Sequence, residues 1–119
     1  FIILQKSFIN SKMKRIGMTI GIRPEKIEEY KYLHANVWPE VLKNLKKLNC
    51  RNYSIFLHNN ILFGYMEYYG DNYDRDMKLM AENKKVQEWW KLCGPCQIPN
   101  PNRKKGEWWS IMDEVFYNQ

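Results

Sequence analysis

The stretch "RNYSIFLHNNILFGYMEYYG", Arg51 to Gly70, decides the fold. Two runs rich in aromatic and β-branched residues flank His58-Asn59-Asn60, and asparagine tolerates the left-handed backbone of a tight turn. The stretch reads as a β-hairpin. Tyr53, Ile55 and Leu57 fall on one side of its first strand, and Leu62, Gly64, Met66 and Tyr68 share one side of the second.

Toward the N-terminus, "PEVLKNLKKLN" (Pro39 to Asn49) gathers Val41, Leu42, Leu45 and Leu48 on one helical face, with lysines on the other. An earlier helix opens at Pro24. Glu25, Glu28 and Glu29 suit its positive N-terminal dipole, and it runs to about Val37 before Pro39 breaks or restarts it. Arg15 to Ile22 alternates Ile16, Met18, Ile20 and Ile22 with Gly17, Thr19 and Gly21, the pattern of a strand. Its nearly bare second face suits close approach of a neighbouring element; room for a ligand is the alternative.

On the C-terminal side a helix begins near Asn72 with Met77, Met80 and Ala81 on one face. Asn83 interrupts it, and a further turn or two carries Val86, Trp89, Trp90 and Cys93. A Pro/Asn-rich loop spans Gly94 to Gly106, and "WWSIMDEVFY", Trp108 to Tyr117, reads as the last strand. The order βαββαβ predicts an α+β, ferredoxin-like fold with helices on one face of an antiparallel sheet. The sheet's other face needs a cover, and sheet-to-sheet pairing of two copies provides one, so a homodimer of the dimeric α/β-barrel type is expected.

The 119 residues allow one domain, and 45% hydrophobic with 15% aromatic content supplies its core. Met13 has the form of a translation start, so residues 1–12 are set aside as a leader or extension and the domain is placed over 13–119. The net charge of +6 is scattered. Lys43, Lys46 and Lys47 flank an apolar stripe, and Arg103, Lys104 and Lys105 sit in a loop, which describes a solvated surface rather than a nucleic-acid groove. The opening "FIILQKSFINSK" holds only four consecutive apolar residues, too short for a membrane span or a signal-peptide core. Three cysteines, an odd number, fit a reducing cytoplasmic setting.

"EWWKLCGPCQIPNP", Glu88 to Pro101, contains a Cys-x-x-Cys motif. A redox dithiol needs one thiol held as thiolate, normally at a helix N-terminus. Here Cys93 follows a helical run that Gly94-Pro95 ends, so the dipole opposes the thiolate. A metal site lacks ligands, because both histidines lie elsewhere in the chain. Cys50 reads as a small buried residue and His58 as an exposed turn residue.

His34 lies four residues after Tyr30, one helical turn away, so the two share a face. A core histidine bonded to a phenol is one reading. The other is acid/base catalysis, for which an imidazole near neutral pKa is suited. Tyr53, Trp89 and Trp90 complete a candidate aromatic pocket fitted to a small neutral polyol, a monosaccharide, with proton transfer as its chemistry. Glu67 is one candidate for a second proton acceptor.

"EEYKYLHANVWPEV" (from Glu28), "CRNYSIFL" (from Cys50), "QEWW" (from Gln87) and "DEVFY" (from Asp113) together resemble the L-rhamnose mutarotase family, over nearly the whole chain from Met13. The resemblance implies a cytoplasmic homodimer that interconverts the α and β anomers of L-rhamnopyranose without a cofactor. It places the proton-donor histidine at His34 and sugar-binding residues at Tyr30, Tyr53, Trp89 and Trp90. Cys-Gly-Pro-Cys is not among the family's working motifs. The leader and the extra pair Trp108-Trp109 depart from its pattern. The rivals are a thiol–disulfide oxidoreductase using Cys93 and Cys96, a small oxygenase of the same fold, and a non-catalytic sugar-binding module.

Overall fold

A computed structural model describes residues 13–119; the leader expected over residues 1–12 lies outside the described residues. The chain runs through β1 (Lys14–Ile22), a 3-10 turn (Pro24–Lys26), α1 (Ile27–Ala35), α2 (Pro39–Lys47), β2 (Cys50–His58) and β3 (Ile61–Tyr68). It continues through α3 (Tyr73–Glu82), α4 (Lys84–Cys93), a second 3-10 turn (Gly94–Cys96), β4 (Gln97–Ile98) and β5 (Ser110–Met112).

The hairpin forms as the asparagines require. Asn59 and Asn60 both take positive φ, 50° and 61°, which a two-residue turn between twisted strands demands. Opposite Met66 the register slips between Arg51 and Ser54, and Asn52 (φ 50°) takes up the bulge. Asn72 and Asn83 each cap a helix, accepting from the backbone N–H of Arg75 and Val86, so Asn83 ends α3 and starts α4 at one point. Pro39 likewise opens α2 rather than continuing α1.

All strand pairs are antiparallel, in the order β2-β3-β1 with β4 and β5 both on the far edge of β1. This is the predicted ferredoxin-like order with its last strand divided. The expected strand over Trp108 to Tyr117 is corrected: only Ser110–Met112 joins the sheet, opposite Gly17 to Thr19, and Gln97–Ile98 takes the remaining edge beside Gly21 and Ile22. Beyond Met112 the chain is held by side chains instead of a ladder. Arg15 donates to both Glu114 oxygens at 2.8 and 3.0 Å and lies 3.3 Å from the Tyr117 ring centroid. Alternation along a sequence reports extended backbone; whether that backbone pairs depends on what lies beside it.

One sheet face carries the helices. Two buried clusters fill that layer, one around Ile20, Ile22, Tyr30 and Trp89, the other around Met18, Tyr68, Met80 and Val86, with Leu45 and Trp109 packed against both. Buried Asp76 keeps its charge because the Tyr68 hydroxyl, Asn49 and Arg75 all donate to it, which holds its carboxyl below the ordinary range. On the other face, Gly17 and Gly21 serve close packing: a Cβ at Gly17 would meet Met112 Cε at 3.2 Å, and one at Gly21 the Ile98 carbonyl at 2.9 Å. That face leaves Phe56 66% exposed, with Phe63 and Met112 also open.

Candidate active site

The four-residue spacing on α1 stacks the Tyr30 and His34 rings, 4.1 Å between centroids and 26° from parallel. His34 Nδ1 donates its proton to the Tyr30 carbonyl at 2.9 Å. That bond assigns the tautomer and leaves Nε2 with a lone pair and no partner among the described residues. Burial pushes the His34 pKa down against the smaller upward pull of the same hydrogen bond, so the resting imidazole is neutral. Trp89, from α4, meets His34 edge-on at 5.5 Å, and Trp38 meets Trp89 at the same separation.

Beside this cluster, between α1 and the sheet, lies a cavity of about 190 Å³. His34, Tyr30 and Lys31 border it, and Ile22, Ile27, Ile55, Phe56, Leu57 and Leu62 form its apolar wall. Tyr53 projects from β2 toward the same layer. Its strand lies at the sheet edge, so the residue is 38% exposed, while its hydroxyl is enclosed and pushed up to about 12 by burial. The only neighbour that hydroxyl reaches among the described residues is Met18 Sδ at 3.9 Å, a weak acceptor. The Tyr30 hydroxyl is also raised by burial and stays a neutral phenol.

The structure thus brings Tyr30, His34 and Trp89 into one cluster with Tyr53 beside it. Trp90 is 46% exposed and belongs to neither buried cluster. At about 100° per residue, Val86, Trp89 and Cys93 form a stripe and Trp90 falls at its margin.

A family model described as L-rhamnose mutarotase matches residues 15–118. The chain is 40% identical over 90 residues to the L-rhamnose mutarotase of Oceanobacillus iheyensis, which covers 74% of this chain and 84% of that protein. It is 38% identical over 108 residues to that of Listeria monocytogenes serovar 1/2a, covering 88% and 98%. The crystal structure of L-rhamnose mutarotase FA22100 from Formosa agariphila superposes with a TM-score of 0.71 at 27% identity, covering 89% of this chain and 99% of that one. The chain belongs to the L-rhamnose mutarotase family.

The Cys-x-x-Cys thiols are free and buried. Burial raises both, Cys93 up to about 12 with help from Cys96, and Cys96 with help from Glu29. They are poor nucleophiles at the C-terminal end of α4, as the dipole argument requires. Glu67 projects to the sheet face opposite His34, where Asn52, Tyr69 and Tyr65 donate to it. It is therefore removed as an acceptor for a group held beside His34 in this chain. Among the described residues no cluster of three or more His, Cys, Asp or Glu is arranged for a metal.

Four neighbours of the site stand outside the candidate residues read from the sequence, although the pair Trp108-Trp109 is marked there as a departure. Trp38 carried a signal, four residues beyond His34. Trp109 packs on the helix-covered face, 3.5 Å from where a Gly64 Cβ would stand. Gln97 and Trp108 join the site through hydrogen bonds: Trp108 Nε1 donates to Gln97 Oε1 at 2.7 Å, and Gln97 Nε2 donates to the Tyr30 hydroxyl at 3.1 Å. Nothing in the local pattern distinguishes Gln97 from a loop residue.

Proposed function

We propose that the protein interconverts the α and β anomers of L-rhamnopyranose, with His34 as its proton-transfer group and Tyr30, Tyr53 and Trp89 holding the sugar. One observation supports this beyond family membership. A neutral imidazole with an open Nε2 borders a cavity whose remaining wall is apolar apart from Lys31, close to two phenols whose hydroxyl protons lack an oxygen acceptor among the described residues. The apolar wall suits the C6 methyl of a deoxy sugar; the phenols suit its oxygens.

The neutral resting state refines the role expected for His34. Nε2 first accepts the anomeric hydroxyl proton as C1=O forms and the C1–O5 bond breaks. A donor hydrogen-bonded to O5 supplies the proton that O5 gains. The C1–C2 bond rotates and O5 re-adds to the other carbonyl face, returning its proton. The imidazolium then donates to O1, so His34 is proton donor in closure and proton acceptor in opening. No net proton, electron or cofactor is consumed. Saturation-transfer NMR of L-rhamnose measures the exchange: acceleration by the wild type and its loss in His34→Ala support the reading, and an unchanged rate in the variant removes His34. Trp90, at the stripe's margin, is retained as a candidate contact at the pocket mouth.

We also propose that two copies pair through the open sheet face. Phe56, Phe63 and Met112 leave an apolar patch there that a second copy would cover. Phe63→Glu should shift sedimentation toward the monomer; an unchanged dimer would exclude this face. Three free thiols suit a reducing cytoplasm, testable by cell fractionation. Among the described residues no helix is long and apolar enough to cross a membrane.

A further inference from the structure

The hydrogen bonds around Gln97 have a fixed direction. An indole N–H is a donor only. Trp108 therefore holds the carbonyl end of the Gln97 amide toward itself, at 2.7 Å, and the amide's NH₂ end is left facing the Tyr30 hydroxyl at 3.1 Å. The backbone of Gln97 is pinned by pairing with Ile22, and its side chain is buried. Asn100, which donates to Ser110 at 3.0 Å, ties the two ends of the loop that carries Trp108. A phenol oxygen that accepts from an amide keeps its own proton to give. No described residue accepts that proton.

We propose that Gln97, oriented by Trp108, is a positioning residue that commits Tyr30 to donate its hydroxyl hydrogen bond to a sugar oxygen. This inference rests on the mutarotase reading and deepens it: the site would hold one group set to accept, His34 Nε2, and one set to give, Tyr30 Oη. Without the amide, the Tyr30 hydroxyl is free to turn and its donor direction is no longer fixed. An acceptor in place of the amide would consume the proton. Trp108, one of the pair by which the sequence departs from the family's motifs, thereby acts on substrate through Gln97.

The test inverts the polarity without changing the shape. In Gln97→Glu at pH 8, an ionised side chain accepts from both Trp108 and Tyr30, and the rate of anomer exchange at saturating L-rhamnose should fall about tenfold or more. Burial raises the pKa of such a carboxyl. Lowering the pH protonates it, restores a donor toward Tyr30, and should bring the ratio of variant to wild-type rate back up. Gln97→Met, which neither gives nor accepts, should lose less than Gln97→Glu at pH 8 and show no pH-dependent recovery relative to wild type. A merely structural role predicts similar losses for both variants and a flat ratio with pH; that result overturns the proposal. A wild type that does not accelerate exchange would defeat the mutarotase reading instead. Side-chain amide exchange by NMR then still tests the hydrogen-bond chain itself: Gln97 Hε2 protection should drop in Tyr30→Phe, and Trp108 Hε1 protection should drop in Gln97→Met. Free exchange of both protons in the wild type would overturn it.

Discussion

His34 and Cys93 stand in the same helix-covered layer and feel the same force. Burial disfavours the charged form of each, so the imidazole pKa moves down and the thiol pKa moves up. The chemical outcomes are opposite. A neutral imidazole is a working base with a free lone pair, whereas a neutral thiol has lost the thiolate on which its reactivity depends. A single environment therefore leaves one nearby group fit for proton transfer and the other unreactive, although the unreactive one belongs to the more conspicuous motif.

The largest expected effect probes the active side of that pair. His34→Ala should reduce enzymatic anomer exchange by about a hundred- to ten-thousandfold, read by saturation-transfer NMR with folding checked by circular dichroism. Retained activity would make the imidazole as idle as the thiols. Next comes the cavity wall. L-mannose differs from L-rhamnose by a hydroxyl on C6, and burying that hydroxyl against apolar side chains costs about 1–3 kcal/mol. Its kcat/KM should fall accordingly; equal turnover would show that the methyl points elsewhere.

The pH dependence follows in size. With the folded pKa of His34 below its ordinary 6.5, kcat/KM should be flat at neutral pH and decline only in acid, as the base is protonated. Stability should move in the same direction. Below pH 6.5 the unfolded histidine binds a proton that the folded one resists, so stability falls as pH drops from 6.5 toward the folded pKa. A chemical-denaturation series across that window, with His34→Phe as reference, isolates the contribution. The smallest effect tests the silent side: Cys93→Ala/Cys96→Ala should leave anomer exchange unchanged and cost stability alone, seen as a lower Tm. Loss of activity with stability intact would mean that the thiols participate after all.

The hairpin, the Pro39 restart, the Asn83 break and the Tyr30–His34 face were all legible in the sequence. Each rests on interactions within a few residues: positive φ at asparagine, the proline ring, side-chain capping, the helical turn. The length of the last strand was not, because alternation says nothing about which backbone lies alongside. Gln97 was not either, since its partners are 67 residues away in Tyr30 and 11 away in Trp108.

By itself, then, the sequence determined the order of elements, the placing of an imidazole and a phenol on one helical face, and the wrong helix end for a reactive dithiol. Only the tertiary structure decided that the imidazole rests neutral, that Glu67 faces away from it, and that an indole sets the amide facing Tyr30. The division has a physical origin. Short-range sterics and capping act through neighbours along the chain, whereas desolvation and hydrogen-bond direction depend on groups that meet only when the sheet and helices close around them.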